Sequence, residues 1–242
     1  MTSATSKTPS VTVLHLHAGA FVSAPEAGRV TVIEQLLIQA GASVSSLRYP
    51  LAPEHPFPQA VNAAYESLQQ LSRAKHGKAK IFVAGVEAGG NIAAGVALML
   101  RDRGELPLAG QILFSPMLDP RLATHSMRCI GAGHPGCRLA HGWHAYTPRP
   151  CDGGHPYANP AAAMRLHGLP PTLLFTADDD PFRDEARAYA QRLLDNGVDA
   201  AVVSLPSSAA YMKEADEASA PAPWKAVALD SLRRFLSGAA LH

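Results

Sequence analysis

The sequence predicts an α/β protein in which a mainly parallel sheet of about six strands carries helices on both faces. Short apolar runs rich in β-branched residues alternate with longer segments whose apolar residues recur every three or four positions. Alternation of strand and helix is typical of a parallel sheet that is covered on both sides. A chain of 242 residues can bury a large core as one unit, so a single domain over residues 1–242 is expected.

The strands and helices follow one another in a regular order. The predicted strands are Val11 to Leu16, Ala42 to Leu47, Lys80 to Ala84, Gly110 to Phe114, Thr172 to Thr176 and Ala200 to Leu205. The predicted helices are Glu26 to Ala40, Pro58 to Ala74, Gly89 to Arg103, Asp184 to Asn196 and Pro223 to Leu236. Residues 115–171 are rich in Gly, Pro and His and show little periodicity, which indicates an inserted lid or set of functional loops.

Composition excludes several classes of function. The chain has 21 Lys and Arg residues against 20 Asp and Glu residues, and such a balance gives no basic field for nucleic acid. The longest strongly apolar run, Ile92 to Leu100, is about half of what a membrane span needs. No secretory signal is visible, and three cysteines do not make a disulfide framework. We therefore expect a cytoplasmic protein with no nucleic-acid or membrane partner and no cofactor.

Four motifs carry the functional information. They are His17-Ala18-Gly19-Ala20-Phe21 after the first strand, Tyr49 to Pro58, the segment Val83 to Asn91 between a strand and a helix, and Leu169 to Glu185. In order and spacing, from about Val11 to about Leu236, the chain resembles the hormone-sensitive-lipase-like branch of the α/β-hydrolases, most of which are carboxylesterases. The resemblance implies an α/β-hydrolase fold.

The resemblance also implies where the catalytic groups lie. Family members place a nucleophilic serine in a Gly-x-Ser-x-Gly turn, beside a histidine held by an aspartate. Here the serine position is Glu87, the aspartate matches Asp180, and the histidine falls on Ala209 or Ala210. The oxyanion-hole donors are then the N–H groups of Gly19, Ala20 and Ala88, and His17 and Phe21 are the residues of this loop expected near the substrate, with His17 mainly fixing the loop.

The beginning of the chain differs from the family pattern. Relatives carry a helical N-terminal cap and two further strands before the strand that starts at Val11, whereas this chain has about ten polar residues there. A truncated N-terminal cap is therefore expected. It would leave an edge of the sheet near Ser43 to Leu47, where a second copy could pair, so a homo-oligomer is possible.

Glu87 has two interpretations. At the start of a helix, its carboxylate is favoured by the helix dipole and by free N–H groups, so it could fill the oxyanion hole itself, with a lowered pKa. Alternatively, it points into an apolar pocket with a raised pKa and acts as an acid or base, or as a carboxylate nucleophile. The sequence does not decide between them.

Metal binding is a weaker possibility. Cys137, His141 and His144 fall at i, i+4 and i+7, on one face if this piece of the lid is helical. The chain has no Cys-x-x-Cys or His-Glu-x-x-His pair, so no metal site is predicted.

Three function classes remain open. The favoured expectation is a protein that is not an esterase but a lyase, isomerase or cyclase, using Glu87 as acid or base on a small carbonyl or carboxylate compound. The alternative is an inactive hydrolase fold that binds such a compound, as plant gibberellin receptors do. The third is a residual carboxylic-ester hydrolase, for which Ser115, Ser207 and Ser208 are the available hydroxyl groups.

Overall fold

The computed structural model describes residues 11–74, 79–129, 136–208 and 223–238. Within them lies one parallel sheet of six strands in the order β2-β1-β3-β4-β5-β6. The strands are β1 (Val11–Leu16), β2 (Ser43–Leu47), β3 (Lys80–Val86), β4 (Gly110–Phe114), β5 (Thr172–Ala177) and β6 (Ala200–Leu205). The predicted α/β-hydrolase sheet is therefore confirmed, and β2 forms one edge of it, as expected from the sequence.

Helices cover both faces of this sheet. They are α1 (Val32–Gln39), α2 (Gln59–Ala74), α3 (Ala88–Arg103), α4 (His125–Cys129), α5 (Arg138–Tyr146), α6 (Arg183–Asp195) and α7 (Pro223–Ser237). One core joins alternate strand residues such as Leu14 and Val83 to α2, α3 and α6. The other joins the intervening residues, such as Val13 and Phe82, to α1 and α7. Because successive side chains of a strand point to opposite faces of the sheet, each strand contributes residues to both cores.

Helix α1 begins six residues later than the sequence pattern indicates. Thr31 caps its first turn by accepting a hydrogen bond from the Glu34 N–H at 3.2 Å, and the Glu34 carboxylate accepts one from the Thr31 N–H at 2.5 Å. This reciprocal capping box satisfies N–H groups that a helix start leaves free. The apolar periodicity before Thr31 therefore belongs to a loop, and the predicted start at Glu26 is wrong.

The lid segment, residues 115–171, is more regular than expected. It contains α4, α5 and two short 3-10 turns, Asp152–Gly154 and Pro160–Ala162. Helix α5 lies directly on the loop after β1, because a Cβ atom at Gly142 would be 2.2 Å from the Ala20 carbonyl oxygen. The lid is consequently in contact with one of the predicted functional loops.

All six strands point the same way, so their carboxyl ends meet at one edge of the sheet. The loops after β1, β3, β4 and β5 carry Gly19, Glu87, Ser115 and Asp180 to this edge. Ligands of open α/β sheets bind at this edge. Among the described helices, none combines the length and the apolar character that a membrane span requires.

Candidate active site

Glu87 occupies a tight turn between β3 and α3. Its backbone has φ 53° and ψ −113°, a conformation that side-chain-bearing residues rarely adopt. The turn closes because its flanking residues are glycines: a Cβ atom at Gly85 would lie 2.1 Å from the Gly89 carbonyl oxygen, and one at Gly89 would lie 2.2 Å from the Leu16 carbonyl oxygen. The two glycines therefore allow β3, α3 and β1 to approach closely enough to present residue 87 at the sheet edge.

The loop after β1 faces this turn. Gly19 has φ 130°, and a Cβ atom there would lie 2.0 Å from the Ser23 carbonyl oxygen, so only glycine fits. Ala20 adopts φ 46° despite its methyl group, a conformation that costs about 1–2 kcal/mol. Packing of α5 against Ala20 is the contact that holds this strained loop in place. Alanine at position 20 therefore does not prevent the left-handed conformation.

The Glu87 carboxylate is enclosed by the loop and the lid. Glu87 is 1% exposed, and the backbone N–H groups of Gly19 and Ala20 lie near enough to its carboxylate to favour its charged form. Arg138, the first residue of α5, places Nη2 3.0 Å from Oε1, although no described residue gives Oε1 a hydrogen bond of good geometry. Glu87, Gly19 and Ala20 are therefore neighbours in the structure, and their catalytic roles stay a prediction.

Burial decides the protonation of this carboxylate. Loss of water around Glu87 raises its pKa, and this effect exceeds the opposing effects of Arg138 and of the Gly19 and Ala20 N–H groups. The sequence-based expectation that a carboxylate filling this position would have a lowered pKa is therefore wrong. The negative charge of ionised Glu87 is therefore only partly compensated by its neighbours.

A cleft of about 220 Å³ opens beside the carboxylate. It is lined by Ala18, Gly19, Ser23, Ala24, Pro25, Glu87 and Arg138. The Arg138 side chain is 58% exposed and stands between the cleft and solvent. Sequence analysis did not identify Arg138, because only the packing of α5 on the loop after β1 brings it to the site.

His17 and Phe21 support the loop from its buried side. The His17 ring stacks on Tyr49 with centroids 4.1 Å apart, and its Nδ1 lies 2.6 Å from the Ala18 carbonyl oxygen. Burial lowers the pKa of His17 to about 4, so Nδ1 carries the proton of a neutral ring and donates to that carbonyl. Phe21 stacks on Tyr146 at a centroid distance of 3.9 Å. Direct substrate contact by these two residues stays a prediction.

Asp180 is placed after β5 at the same edge of the sheet as Glu87. Its carboxylate accepts hydrogen bonds from the Ser115 hydroxyl at 2.6 Å, the Thr176 hydroxyl at 2.7 Å and the Phe182 N–H at 2.9 Å. Burial raises the pKa of Asp180. Ala209 and Ala210, the positions assigned to the family's histidine, lie outside the described residues.

The described residues include the candidate serines and several of the lid histidines. Ser207 donates to Asp179 at 2.6 Å, and Ser115 donates to Asp180. His141 and His144 lie on the exposed side of α5. Within the described ranges, no group of three or more His, Cys, Asp or Glu side chains is arranged to hold a metal ion.

Comparisons with known proteins show which family the chain belongs to. A family model described as the alpha/beta hydrolase fold matches residues 13–209. The chain is 32% identical over 193 residues to an arylesterase of Saccharolobus solfataricus, covering 77% of this chain and 63% of the relative. It is 31% identical over 207 residues to the gibberellin receptor GID1A of Arabidopsis thaliana, covering 80% and 60%. The chain thus spans about three fifths of the length of these curated relatives.

A solved structure gives the same result. The structure of a bacterial heroin esterase has a TM-score of 0.77 and 33% identity, covering 96% of this chain and 77% of that one.

These relatives overturn one expectation. The prediction of a lyase, isomerase or cyclase that is not an esterase is wrong, since the similar proteins at about 30% identity include named esterases and none of these names indicates a lyase or isomerase. That prediction rested on glutamate at position 87 and on alanine at both positions assigned to the histidine. The resemblance to hormone-sensitive-lipase-like carboxylesterases is supported at the level of the family. Because the family model matches most of the length of this chain, the chain belongs to the alpha/beta hydrolase fold family.

Proposed function

We propose that this protein hydrolyses small carboxylic esters in the cleft beside Glu87. Glu87 stands at the position where related esterases carry the nucleophilic serine. The two positions assigned to the histidine of the family, Ala209 and Ala210, are alanines in this sequence. The proposal therefore includes a change of chemistry: a carboxylate base replaces the serine nucleophile and its histidine.

One observation carries this proposal. The N–H groups of Gly19 and Ala20 lie near enough to the Glu87 carboxylate to favour its charged form, and each oxygen of that carboxylate carries negative charge. Donors aimed at such an oxygen also stabilise the oxyanion that forms when an ester carbonyl is attacked. Two N–H groups held by a strained loop are arranged before the reaction, so they need not reorganise during it.

In the proposed reaction, the carbonyl oxygen of the ester takes the place of the Glu87 carboxylate beside the N–H donors. The ester carbonyl oxygen takes the N–H groups of Gly19 and Ala20, and the displaced Glu87 carboxylate accepts a proton from a water molecule. The resulting hydroxide adds to the carbonyl carbon, and the tetrahedral oxyanion is held by the same N–H groups. When the carbon–oxygen bond to the alcohol breaks, the leaving oxygen takes the proton from Glu87. One water is consumed, and Glu87 is returned as a carboxylate.

Asp180 contributes as a positioning residue in this proposal. Through its hydrogen bond from Ser115 it fixes the loop after β4, and in that loop the Met117 N–H donates to the Glu87 carbonyl oxygen at 3.1 Å. The Glu87 N–H in turn donates to the Phe114 carbonyl oxygen at 3.0 Å. These contacts hold the backbone of the turn, so the Glu87 side chain can move while its Cα atom stays fixed.

Hydrolysis of short-chain esters by the wild type and by Glu87→Gln tests the proposal. Glutamine keeps the size of the side chain and cannot accept the proton, so a loss of roughly 10²- to 10⁴-fold in kcat is expected. Glu26→Gln, at an exposed position outside this cleft, serves as the matched control and should retain full activity. Equal rates for the wild type and Glu87→Gln would refute hydrolysis by Glu87.

Binding without turnover is the second candidate function. It is favoured by the position of the Glu87 carboxylate, which occupies the N–H groups that an ester would need. A receptor among the relatives, GID1A, shows that the family also includes a protein named for binding. A wild-type protein that binds acyl compounds but releases no alcohol from any ester would support this candidate and exclude the first.

A further inference from the structure

We infer that a small monocarboxylate binds in this cleft by replacing the Glu87 side chain at the Gly19 and Ala20 N–H groups and at Arg138, and that about one proton is taken up as it binds. The inference rests on the proposed function of the same site, because ester hydrolysis releases such an acid. It adds a ligand class, a residue that selects it and a dependence on pH.

The partners of Glu87 are suited to a carboxylate that comes from solution. Arg138 is 58% exposed, so part of its guanidinium can be reached from outside while Nη2 stays 3.0 Å from Glu87 Oε1. A guanidinium has five N–H donors and binds carboxylates in a bidentate manner. Because Glu87 Oε1 has no hydrogen bond of good geometry to any described residue, an incoming carboxylate that is free to orient can satisfy these donors better than the tethered one.

The cleft also limits the size and character of the ligand. Its volume of about 220 Å³ holds a short acyl chain, and Ala18, Ala24 and Pro25 give it apolar walls. Arg138 is the cation in its lining, so a neutral acyl compound lacks the ion pair that an acid makes there. The site therefore favours short-chain monocarboxylates over neutral amides or alcohols of equal size.

The charges around Glu87 explain why a proton must be taken up when the ligand binds. Among the described residues, the groups that interact with the Glu87 carboxylate are Arg138 from α5 and the N–H groups of Gly19 and Ala20 from the loop after β1. From the loop after β4, Met117 donates to the Glu87 carbonyl and brings no charge. A second carboxylate would leave two negative charges beside one guanidinium in a buried site, which is strongly unfavourable.

Glu87 is the carboxyl group that accepts this proton. Burial already raises its pKa, whereas the ligand begins as an ordinary carboxylate in water. Once protonated, Glu87 no longer needs the guanidinium, and Arg138 can pair with the ligand. The two events are therefore linked, and affinity should fall as the pH rises above the pKa of Glu87.

Isothermal titration with sodium acetate and sodium butyrate measures this linkage. Repeating each titration in two buffers of different ionisation enthalpy, at several pH values between 5 and 8, gives the number of protons taken up. We expect about one proton per carboxylate for the wild type where Glu87 is ionised, and an affinity that decreases up to about tenfold per pH unit. Glu87→Gln should bind with no uptake and no such pH dependence.

The role of Arg138 is tested with Arg138→Gln, and Arg128→Gln, an exposed arginine of the lid, is the matched control. We expect at least tenfold weaker carboxylate binding for Arg138→Gln and unchanged binding for Arg128→Gln. Proton uptake that is absent in the wild type, or equal in Glu87→Gln, would overturn the inference, as would no binding of either acid.

The outcome is separable from that of the proposed function. Proton-linked binding in a protein that hydrolyses no ester would leave the inference standing and remove the hydrolysis. Hydrolysis that depends on Glu87, without proton-linked binding of acids, would support the proposed function and refute the inference.

Discussion

Replacing Arg138 with glutamine should destabilise the protein in a way that depends on pH. Glu87 is 1% exposed and loses the cation that lies 3.0 Å from its Oε1. Breaking a fully buried ion pair by removing one partner costs about 3–5 kcal/mol. Because the Arg138 side chain is 58% exposed, solvent screening reduces this value, and we expect about 1–2 kcal/mol at pH 8.

The sign of the pH dependence follows from the raised pKa of Glu87. The folded state binds this proton more tightly than the unfolded state, so the contribution of Glu87 to stability is greatest in acid and is lost as the pH rises through the folded pKa. In Arg138→Gln the pKa is raised further and the decrease is larger. The two proteins should therefore be equally stable near pH 4 and diverge toward pH 8.

Urea denaturation of four proteins measures this effect. They are the wild type, Arg138→Gln, Glu87→Gln and the double variant, each from pH 4 to pH 8. The double-mutant cycle should give a coupling free energy of about 1 kcal/mol or more at pH 8 and near zero at pH 4. A coupling that is absent at pH 8, or that does not change with pH, would refute the assignment of Arg138 as the partner of Glu87.

Three further predictions concern single positions. Glu87→Gln alone should be more stable than the wild type at pH 8, with a difference that disappears toward pH 4, because it removes a buried carboxylate; equal stability at pH 8 would contradict this. Gly89→Ala should cost about 3 kcal/mol or more in thermal or urea unfolding, since its Cβ would lie 2.2 Å from the Leu16 carbonyl oxygen, whereas Gly154→Ala, with open space around it, should be nearly neutral. The His17 ring should stay neutral above about pH 5, because burial lowers its pKa to about 4. Because the folded protein resists protonation of this ring, the free energy of unfolding should decrease by up to about 3 kcal/mol as the pH falls from 6.5 to 4. An NMR titration of the ring with a midpoint near 6.5 would contradict this prediction.

The sheet could be predicted because its strands have a strong local signal. The bounds of β1, β4 and β6 agree with those of the predicted strands, which were placed on short runs rich in apolar and β-branched residues. The start of α1 could not be predicted from periodicity, because the apolar spacing continues into the loop that precedes the Thr31 cap.

The site could be predicted from the sequence only at positions where the backbone requires glycine. Glycines 85 and 89 around Glu87, and Gly19 in the loop after β1, mark positions that only glycine can fill, so their spacing identifies the turn and its donors. Arg138 lies in a lid segment of weak periodicity, and only the contact of Gly142 with Ala20 brings it to the turn. The direction of the Glu87 pKa likewise depends on how burial compares with its partners, which only the folded structure shows.

The pH dependence of kcat for hydrolysis of a neutral short-chain ester tests the proposed role of Glu87 most directly. A base must be ionised to accept a proton, so kcat should increase through a single pKa that lies above the ordinary value for glutamate, because burial raises the pKa of Glu87. In Arg138→Gln the midpoint should move to higher pH, and in Glu87→Gln the pH-dependent activity should disappear. A profile that is flat, or that is the same in the wild type and Glu87→Gln, would contradict the account.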